Sequence, residues 1–376
     1  MATTTELSLS DPVNTAILAV SEDRLEGFQL DPFGEIARRS GVDVDTVIAR
    51  VRLLLEAGTI RRVRQTLLAN NLAEGALVAW QVPPERLNDA FDFMFQRDPF
   101  SGHVVIRTAE TAAAGARYRL WTTVKVPQGY SLEDHCRLLA RLTCAEAYRI
   151  MPPKALFVLG VGHTRRRGMA PGSRADEPAD VMYPQVAELT DEEWRVLLAL
   201  KREFAPEEIR RDIWAPRAAE AGVTLERFLE VARSLAERRL IGRFSTFLEH
   251  VKPTASGERV TRYNALFHWA VPPGREIEAG REAGRHHILT HCYWREGGPE
   301  FNNVNIMAVA HGTDKELLLA HKAAIDEHLA EAGIPVSYTN VFWGGRSEIK
   351  PSEISPLVYR EWRREMEAGG SPAGVR

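Results

Sequence analysis

The sequence predicts an α+β protein made of two tandem copies of one plan. Each copy is a small helical unit closed by a β-ribbon, then an antiparallel sheet in the order β-α-β-β-α-β. Three observations carry this. The segment Val78-Ala79-Trp80-Gln81-Val82-Pro83-Pro84 recurs as Phe267-His268-Trp269-Ala270-Val271-Pro272-Pro273. The helix end and turn upstream recur as well: Leu54-Leu55-Glu56-Ala57-Gly58-Thr59-Ile60-Arg61-Arg62 against Leu235-Ala236-Glu237-Arg238-Arg239-Leu240-Ile241-Gly242-Arg243. Of the 11 histidines, three lie before residue 165 and eight lie between His250 and His328. A duplicated scaffold with its imidazoles loaded into one copy predicts a pseudo-symmetric site, not two independent modules.

In the first copy, residues 33–60 read as a short helix, a turn at Gly41, an Asp-Val-Asp-Thr start and a longer amphipathic helix. Val47, Val51 and Leu54 form its apolar stripe. With 60–68 as a wing, this is a winged helix-turn-helix. Strands are expected at 76–82, 104–108, 118–126 and 148–159, with helices at 85–96 and 131–142. That order gives a four-stranded ferredoxin-like sheet with both helices on one face. Residues 164–188, with Arg165-Arg166-Arg167-Gly168 and Pro171-Gly172-Ser173, read as a solvated linker.

The second copy begins near Asp191, with helices expected at 192–201, 205–214 and 225–237 and a break at Pro216. Its sheet is expected at 263–271, 288–295, 303–310 and 336–343, with helices at 275–285 and 315–332. An insertion at 252–259 separates wing from sheet, and a short charged helix follows Ser352. The predicted domains are therefore 1–72, 73–163, a linker at 164–188, 189–251, 252–351 and a tail at 352–376. Trp80 and Trp269 recur because both copies need the same packing, and are read as core.

Composition narrows the function classes. The chain is 44% hydrophobic and 26% charged, ordinary for a globular protein in water. No apolar run approaches the roughly 20 residues that span a bilayer, and Met-Ala-Thr-Thr-Thr-Glu does not start a secretory signal, so the expected place is the cytoplasm. Cys136, Cys144 and Cys292 have neither metal-finger nor disulfide-framework spacing. Net charge is −3, and a dedicated DNA binder carries a basic footprint, so DNA is not expected as a partner. Arg61, Arg62 and Arg64 read as a solvated wing. There is no phosphate loop, nucleophile elbow or His-Glu-x-x-His motif.

Strand alternation places the candidate chemistry. His291, Tyr293 and Arg295 share one face of their strand, and Asn305 and His311 share a face with Met307 on the next. Ile306, Ala308 and Ala310 suit the helix-covered face, so the polar set is expected to look away from the helices into a cleft between the two sheets. Imidazole exchanges protons near neutral pH or ligates a metal, and arginine forks onto carboxylates. The ligand this points to is anionic, with several carboxylates, and iron is one candidate component. Taken singly, a strand histidine is more often core or surface than functional. His321 and His328 are expected on a solvated helix face, and His286-His287 at a helix C-terminus.

Finer motifs resemble a known family. The winged helix followed by β-α-β-β-α-β resembles the leucine-responsive regulator (Lrp/AsnC) class, and within it the siroheme decarboxylases, which occur as paired or fused subunits. The resemblance rests on Arg243-Phe244 with His250, on His291-Cys292-Tyr293-Trp294-Arg295 and on Val304-Asn305-Ile306-Met307-Ala308-Val309-Ala310-His311-Gly312. In the first copy it rests on Tyr118-Arg119-Leu120-Trp121-Thr122. The chain departs from the family pattern at Val304, Arg119 and His103-Val104-Val105.

The resemblance implies removal of carboxyl groups from two acetate side chains of siroheme, to 12,18-didecarboxysiroheme, on the route to heme or d-type heme. It implies His250, His291 and His311 for proton delivery, with His291 or His311 as a ligand to the substrate's iron. It implies Arg243, Arg262, Tyr293, Arg295, Asn305, Tyr118 and Arg119 for substrate binding. No resident metal or cofactor is implied beyond the iron tetrapyrrole itself. The alternatives are a transcription regulator and a heme-binding protein without catalysis. A fused duplicate satisfies the family's sheet pairing internally, which leaves a monomer or a homodimer open.

Overall fold

The computed structural model describes residues 5–68, 72–110, 115–159, 168–249, 261–354 and 356–368. His250 and the 252–259 insertion lie outside the described residues. In chain order the first copy supplies α1 (Pro12–Ser21), β1 (Leu25–Glu26), α2 (Pro32–Ser40), α3 (Val44–Glu56) and β2 (Ile60–Leu67). Its sheet domain supplies β3 (Glu74–Gln81), α4 (Leu87–Gln96), β4 (Ser101–Ala109), β5 (Leu120–Val126), α5 (Leu132–Thr143), β6 (Ala147–Met151) and β7 (Ala155–Leu159). The second copy supplies α6 (Asp191–Lys201), α7 (Trp214–Ala221), α8 (Leu225–Glu237) and β8 (Ile241–Leu248). Then come β9 (Tyr263–Ala270), α9 (Glu276–Gly284), β10 (Leu289–Trp294), β11 (Ile306–Gly312), α10 (Lys315–Glu331), β12 (Tyr338–Ile349) and α11 (Pro356–Ala368).

Contacts divide the chain into two units that cut across the sequence-defined domains. One holds residues 1–71, 160–168 and 187–262, which is both winged helices; the other holds both sheet domains. In the helical unit, Asp43 caps α3 by accepting from the amides of Asp45 and Thr46, after Gly41 has ended α2 in the left-handed conformation. α1, which the sequence reading did not anticipate, starts on an Asp11 cap followed by Pro12. The wings do not stand alone. β2 pairs antiparallel with β8, and β1 joins the far side of β8, so one sheet of order β1-β8-β2 links the copies.

Two expectations about this unit are corrected. The middle helix of the second copy is α7 at Trp214–Ala221, not 205–214. Pro216 sits in its first turn, where a missing amide hydrogen leaves no intrahelical bond unmade. The wing arginines are not solvated either. Arg62 is buried and paired with Glu203 at 3.1 Å, and Arg64 lies over the Phe247 ring.

The second unit contains one nine-stranded sheet of order β6-β3-β5-β4-β12-β9-β11-β10-β7. Each copy contributes four strands in the ferredoxin-like order (β6-β3-β5-β4 and β12-β9-β11-β10), and β12 pairs with both β9 and β4 to join them. The expected single strand 148–159 is broken by Pro152-Pro153. Its first half pairs with β3, and its second crosses to β10 of the other copy. The two ends of the strand order are thus neighbours in the chain, and the sheet curls back on itself.

Helix-free faces of the two halves pack on each other through Ala79, Val105, Trp121 and Met151 from one copy and Leu266, Ala270, Met307 and Phe342 from the other. The outer faces are covered by α4 and α5 in one copy and α9 and α10 in the other. α11 adds Tyr359, Trp362 and Met366 to the first outer core. Both repeated tryptophans are fully buried. Trp80 donates to Thr122 Oγ1 at 2.9 Å and Trp269 to Asp326 Oδ1 at 2.6 Å.

Residues 169–186, expected as solvated linker, are docked along α9. The Ala175 amide donates to the Arg285 carbonyl, the Ala179 amide to the Arg281 carbonyl, and Met182 forms a bridge with Leu156. Isolated bridges and single amide bonds of this kind satisfy backbone groups in a way that charge and Pro-Gly content alone do not reveal.

Candidate functional site

Alternation on β10 and β11 holds as the residues dictate. Cys292, Ile306, Ala308 and Ala310 join the core under α9 and α10, which turns His291, Tyr293, Met307 and His311 to the inner side. Burial pushes the Cys292 thiol up to about 12, so it is an inert core group between two functional candidates.

A bulge between Leu289 and His291 lets Thr290 join the inner set. Thr290 is buried, and its hydroxyl donates to the Val309 carbonyl at 3.1 Å. The same oxygen lies 3.2 Å from His311 Nδ1 and 3.2 Å from His291 Nδ1. His291 in turn stacks on Tyr293, with ring centroids 6.1 Å apart and planes 12° apart. The Arg295 guanidinium lies over the Tyr293 ring, 4.4 Å from its centroid, and donates to the Met151 carbonyl. Burial lowers Arg295 to about 10 and raises the Tyr293 phenol.

Sequence reasoning missed the first copy's main contribution. Arg107 of β4 is buried, and both its terminal nitrogens donate to Asn264 Oδ1 at 3.1 Å. The register explains how it reaches: Arg107 pairs with Gly344, Gly344 with Asn264, and Asn264 with His311, in one lateral row. Strands lie about 4.8 Å apart, so a side chain crossing this row must pass over Gly344. A Cβ there would stand 3.2 Å from Asn264 Cβ. Burial lowers Arg107 to about 9. On β5, burial and the neighbouring Arg295 charge lower Lys125 to about 7, within reach of general acid–base work.

His268 is the other omission. It faces inward beside Trp121, Phe301 and Phe342, with Nε2 buried and unpartnered, and burial lowers it to about 3. Alternation from the core residue Trp269 was the available signal for its direction.

The other expected site residues have different settings. The Asn305 side chain is tied to backbone: its Oδ1 accepts from the Val271 amide at 2.9 Å and its Nδ2 donates to the Val271 carbonyl at 2.9 Å. Asn302 and Asn303 are left-handed, which breaks the alternation before β11 begins. Tyr118 is packed on Phe301 in the core between the sheets. Arg119 adjoins Arg107, whose amide donates to the Arg119 carbonyl at 2.7 Å, and its Nε is buried without a partner among the described residues. Arg243 belongs to the helical unit, where its Nε donates to the Glu22 carbonyl at 3.1 Å. Arg262 is exposed and belongs to that unit too.

His321 and His328 are not solvated: both are buried, as is His286. His286 Nε2 meets His328 Nδ1 at 2.8 Å, and His328 Nε2 meets Glu282 at 3.0 Å. This cluster ties α9 to α10 on the outer side of the sheet. Burial, then His328 and Arg174, lower His286 to about 3. Among the described residues no group of three or more His, Cys, Asp or Glu side chains is placed to hold a metal ion.

Chemically, the inner set combines two imidazoles sharing one hydroxyl, cations held in low dielectric, and one lysine near neutrality. Such groups exchange a proton and hold anionic substituents.

Known proteins share this architecture. The family described as AsnC-like ligand binding domain matches twice, at residues 72–157 and 261–339. The siroheme decarboxylase NirDL subunit of Paracoccus pantotrophus is 24% identical over 77% of this chain and 84% of its own length. That of Paracoccus denitrificans is 26% identical over 73% and 79%. A crystal structure of the siroheme decarboxylase NirDL has the same fold, with TM-score 0.66 and 21% identity over 96% of this chain and all of that one. A second, in complex with an iron-uroporphyrin III analogue, has TM-score 0.66 and 20% identity over the same shares. The AsnC-like ligand-binding domain is thus present in both copies, and over most of its length the chain is similar to siroheme decarboxylase NirDL subunits.

Proposed function

We propose that this chain removes carboxyl groups from two acetate side chains of siroheme, as a carboxy-lyase of heme or d-type heme formation. The observation that carries the reading is the pair of inner-face imidazoles on Thr290, set in a sheet whose other half contributes Arg107. The relatives' named activity supports the same substrate.

In each cycle the bond between the acetate methylene and its carboxyl carbon breaks, carbon dioxide leaves, and the electron pair stays on the methylene, delocalised into the pyrrole. A proton then closes it as a methyl group. His291, His311 and Lys125 are the groups proposed to hold that proton, and Arg107, Arg119 and Arg295 to hold the remaining carboxylates. Fixed cations of this kind, in place before reaction, are usually the largest contribution to such catalysis. The step balances without a further cofactor, since the iron arrives with the substrate. Both copies pair within each unit, which supports reading the chain as an internal pseudo-dimer.

A regulator reading is disfavoured by the helical unit's own contacts. On α3, Arg52 donates to the carbonyls of Pro206 and Ile209, and Arg50 faces Glu6 and Asp11 at 3.5 and 3.7 Å. Those cations are committed inside the unit, whereas DNA affinity comes largely from cations that neutralise phosphates. No helix of the described residues is long and apolar enough to cross a membrane. The proposed setting is the cytoplasm.

The test is anaerobic incubation of the purified protein with siroheme, with mass analysis of the extracted pigment. Loss of two carbon dioxide units supports the reading. Pigment bound but unchanged supports a heme-binding protein without turnover.

A further inference from the structure

The geometry points to Thr290 as a positioning residue that holds His291 and His311 in the same tautomer, each with its hydrogen on Nδ1 and its basic lone pair on Nε2. A threonine hydroxyl has one hydrogen to give and two lone pairs to receive. Thr290 Oγ1 has three partners: the Val309 carbonyl at 3.1 Å, His311 Nδ1 at 3.2 Å and His291 Nδ1 at 3.2 Å. The carbonyl can only accept, so the hydroxyl hydrogen goes there. Both imidazoles must then donate. The alternative, with the hydrogen turned to one histidine, sets the Thr290 and Val309 oxygens lone pair to lone pair at 3.1 Å inside a buried site.

The arrangement is built, not incidental. The bulge between Leu289 and His291 is what brings Thr290 to the inner side beside its own neighbour His291, while β11 brings His311 from the adjacent strand. The bond made by one ring nitrogen decides what the other can do. With Nδ1 committed to Thr290, Nε2 is the nitrogen that takes up a proton and returns it, or that ligates iron. The role in catalysis rests on the siroheme reading above; the tautomers do not.

The test has two arms. In the first, long-range nitrogen–proton NMR of histidine-labelled full-length protein, without pigment, reads the tautomer of each ring. His291→Ala and His311→Ala variants assign the signals. Both rings carrying hydrogen on Nδ1, retained in Thr290→Ser and lost from at least one ring in Thr290→Val, is the expected result. Either ring in the Nε2–H form in the unmodified protein overturns the inference, whatever the protein does to siroheme. In the second arm, Thr290→Val lowers kcat about 10–100-fold, the usual effect of losing such a support, with KM changed less than about 3-fold and Thr290→Ser restoring turnover. An unchanged kcat in Thr290→Val overturns the positioning role. An absence of turnover in the unmodified protein instead overturns the siroheme reading and leaves the tautomer result standing.

Discussion

Replacing His268 with leucine should remove a large part of the acid sensitivity of the sheet unit. The imidazole is 1% exposed, touches the rings of Trp121, Phe301 and Phe342, and has burial as the main cause of a pKa near 3. Unfolded, the same group titrates near 6.5. The folded value is the lower one, so the unfolded chain binds more protons below about pH 6.5, and folding stability is lost as pH falls through that window toward about 3. Between about pH 7.5 and about pH 4.5, roughly two pH units lie inside the window, each worth ~1.4 kcal/mol, so His268 alone takes away about 3 kcal/mol.

His268→Leu is close to volume-conserving and removes a buried nitrogen without a partner, so at about pH 7.5 its effect should stay within ~1.5 kcal/mol of the parent. Urea unfolding followed by tryptophan fluorescence at both pH values gives the comparison. His286 contributes its own acid loss in parent and variant alike, so it cancels from the difference. A parent and variant that lose the same stability between the two pH values would refute the placement of a neutral, solvent-excluded imidazole at position 268.

Further outcomes follow from the same contacts. Arg107→Met should weaken siroheme binding about 10–100-fold, the order expected for a lost charge-assisted contact, read by absorbance titration; unchanged affinity would remove Arg107 from the carboxylate-binding set. Asn305→Ala should cost about 1–3 kcal/mol in urea unfolding by orphaning the Val271 amide, while kcat of the folded fraction is unchanged; a selective loss of kcat would restore Asn305 to the site. Gly344→Ala should cost about 1–3 kcal/mol by pressing on Asn264, and should lower siroheme affinity along with Arg107→Met; a stable variant with parental affinity would break the lateral row. A gel shift at low salt should show no retarded DNA at about 1 µM protein; a salt-dependent shift would revive the regulator reading.

Much of the architecture was legible because its signals are local. Asp43 and Gly41 punctuate α3, and the repeated tryptophan strand marks both copies. The alternation of His291, Cys292 and Tyr293 separates the inner face from the core with no knowledge of partners. What was not legible depends on partners distant in sequence. The pairings β2 with β8, β4 with β12 and β7 with β10 join strands that carry no local mark of each other. Arg107 could not be placed in the site before β12 was known to lie between it and Asn264. The direction of Asn305 was not legible because two left-handed asparagines reset the alternation, nor was the burial of His321 and His328, because burial of a polar helix face depends on what packs over it.

On this reading the inner-face groups deliver a proton from the protein to a carbon that has just lost carbon dioxide. The most direct test is anaerobic turnover of siroheme in heavy water, with mass analysis of the product. The expected pigment is lighter by two carbon dioxide units and carries one deuterium at each new methyl group. Siroheme recovered intact, or a decarboxylated product without deuterium at those methyl groups, would contradict it.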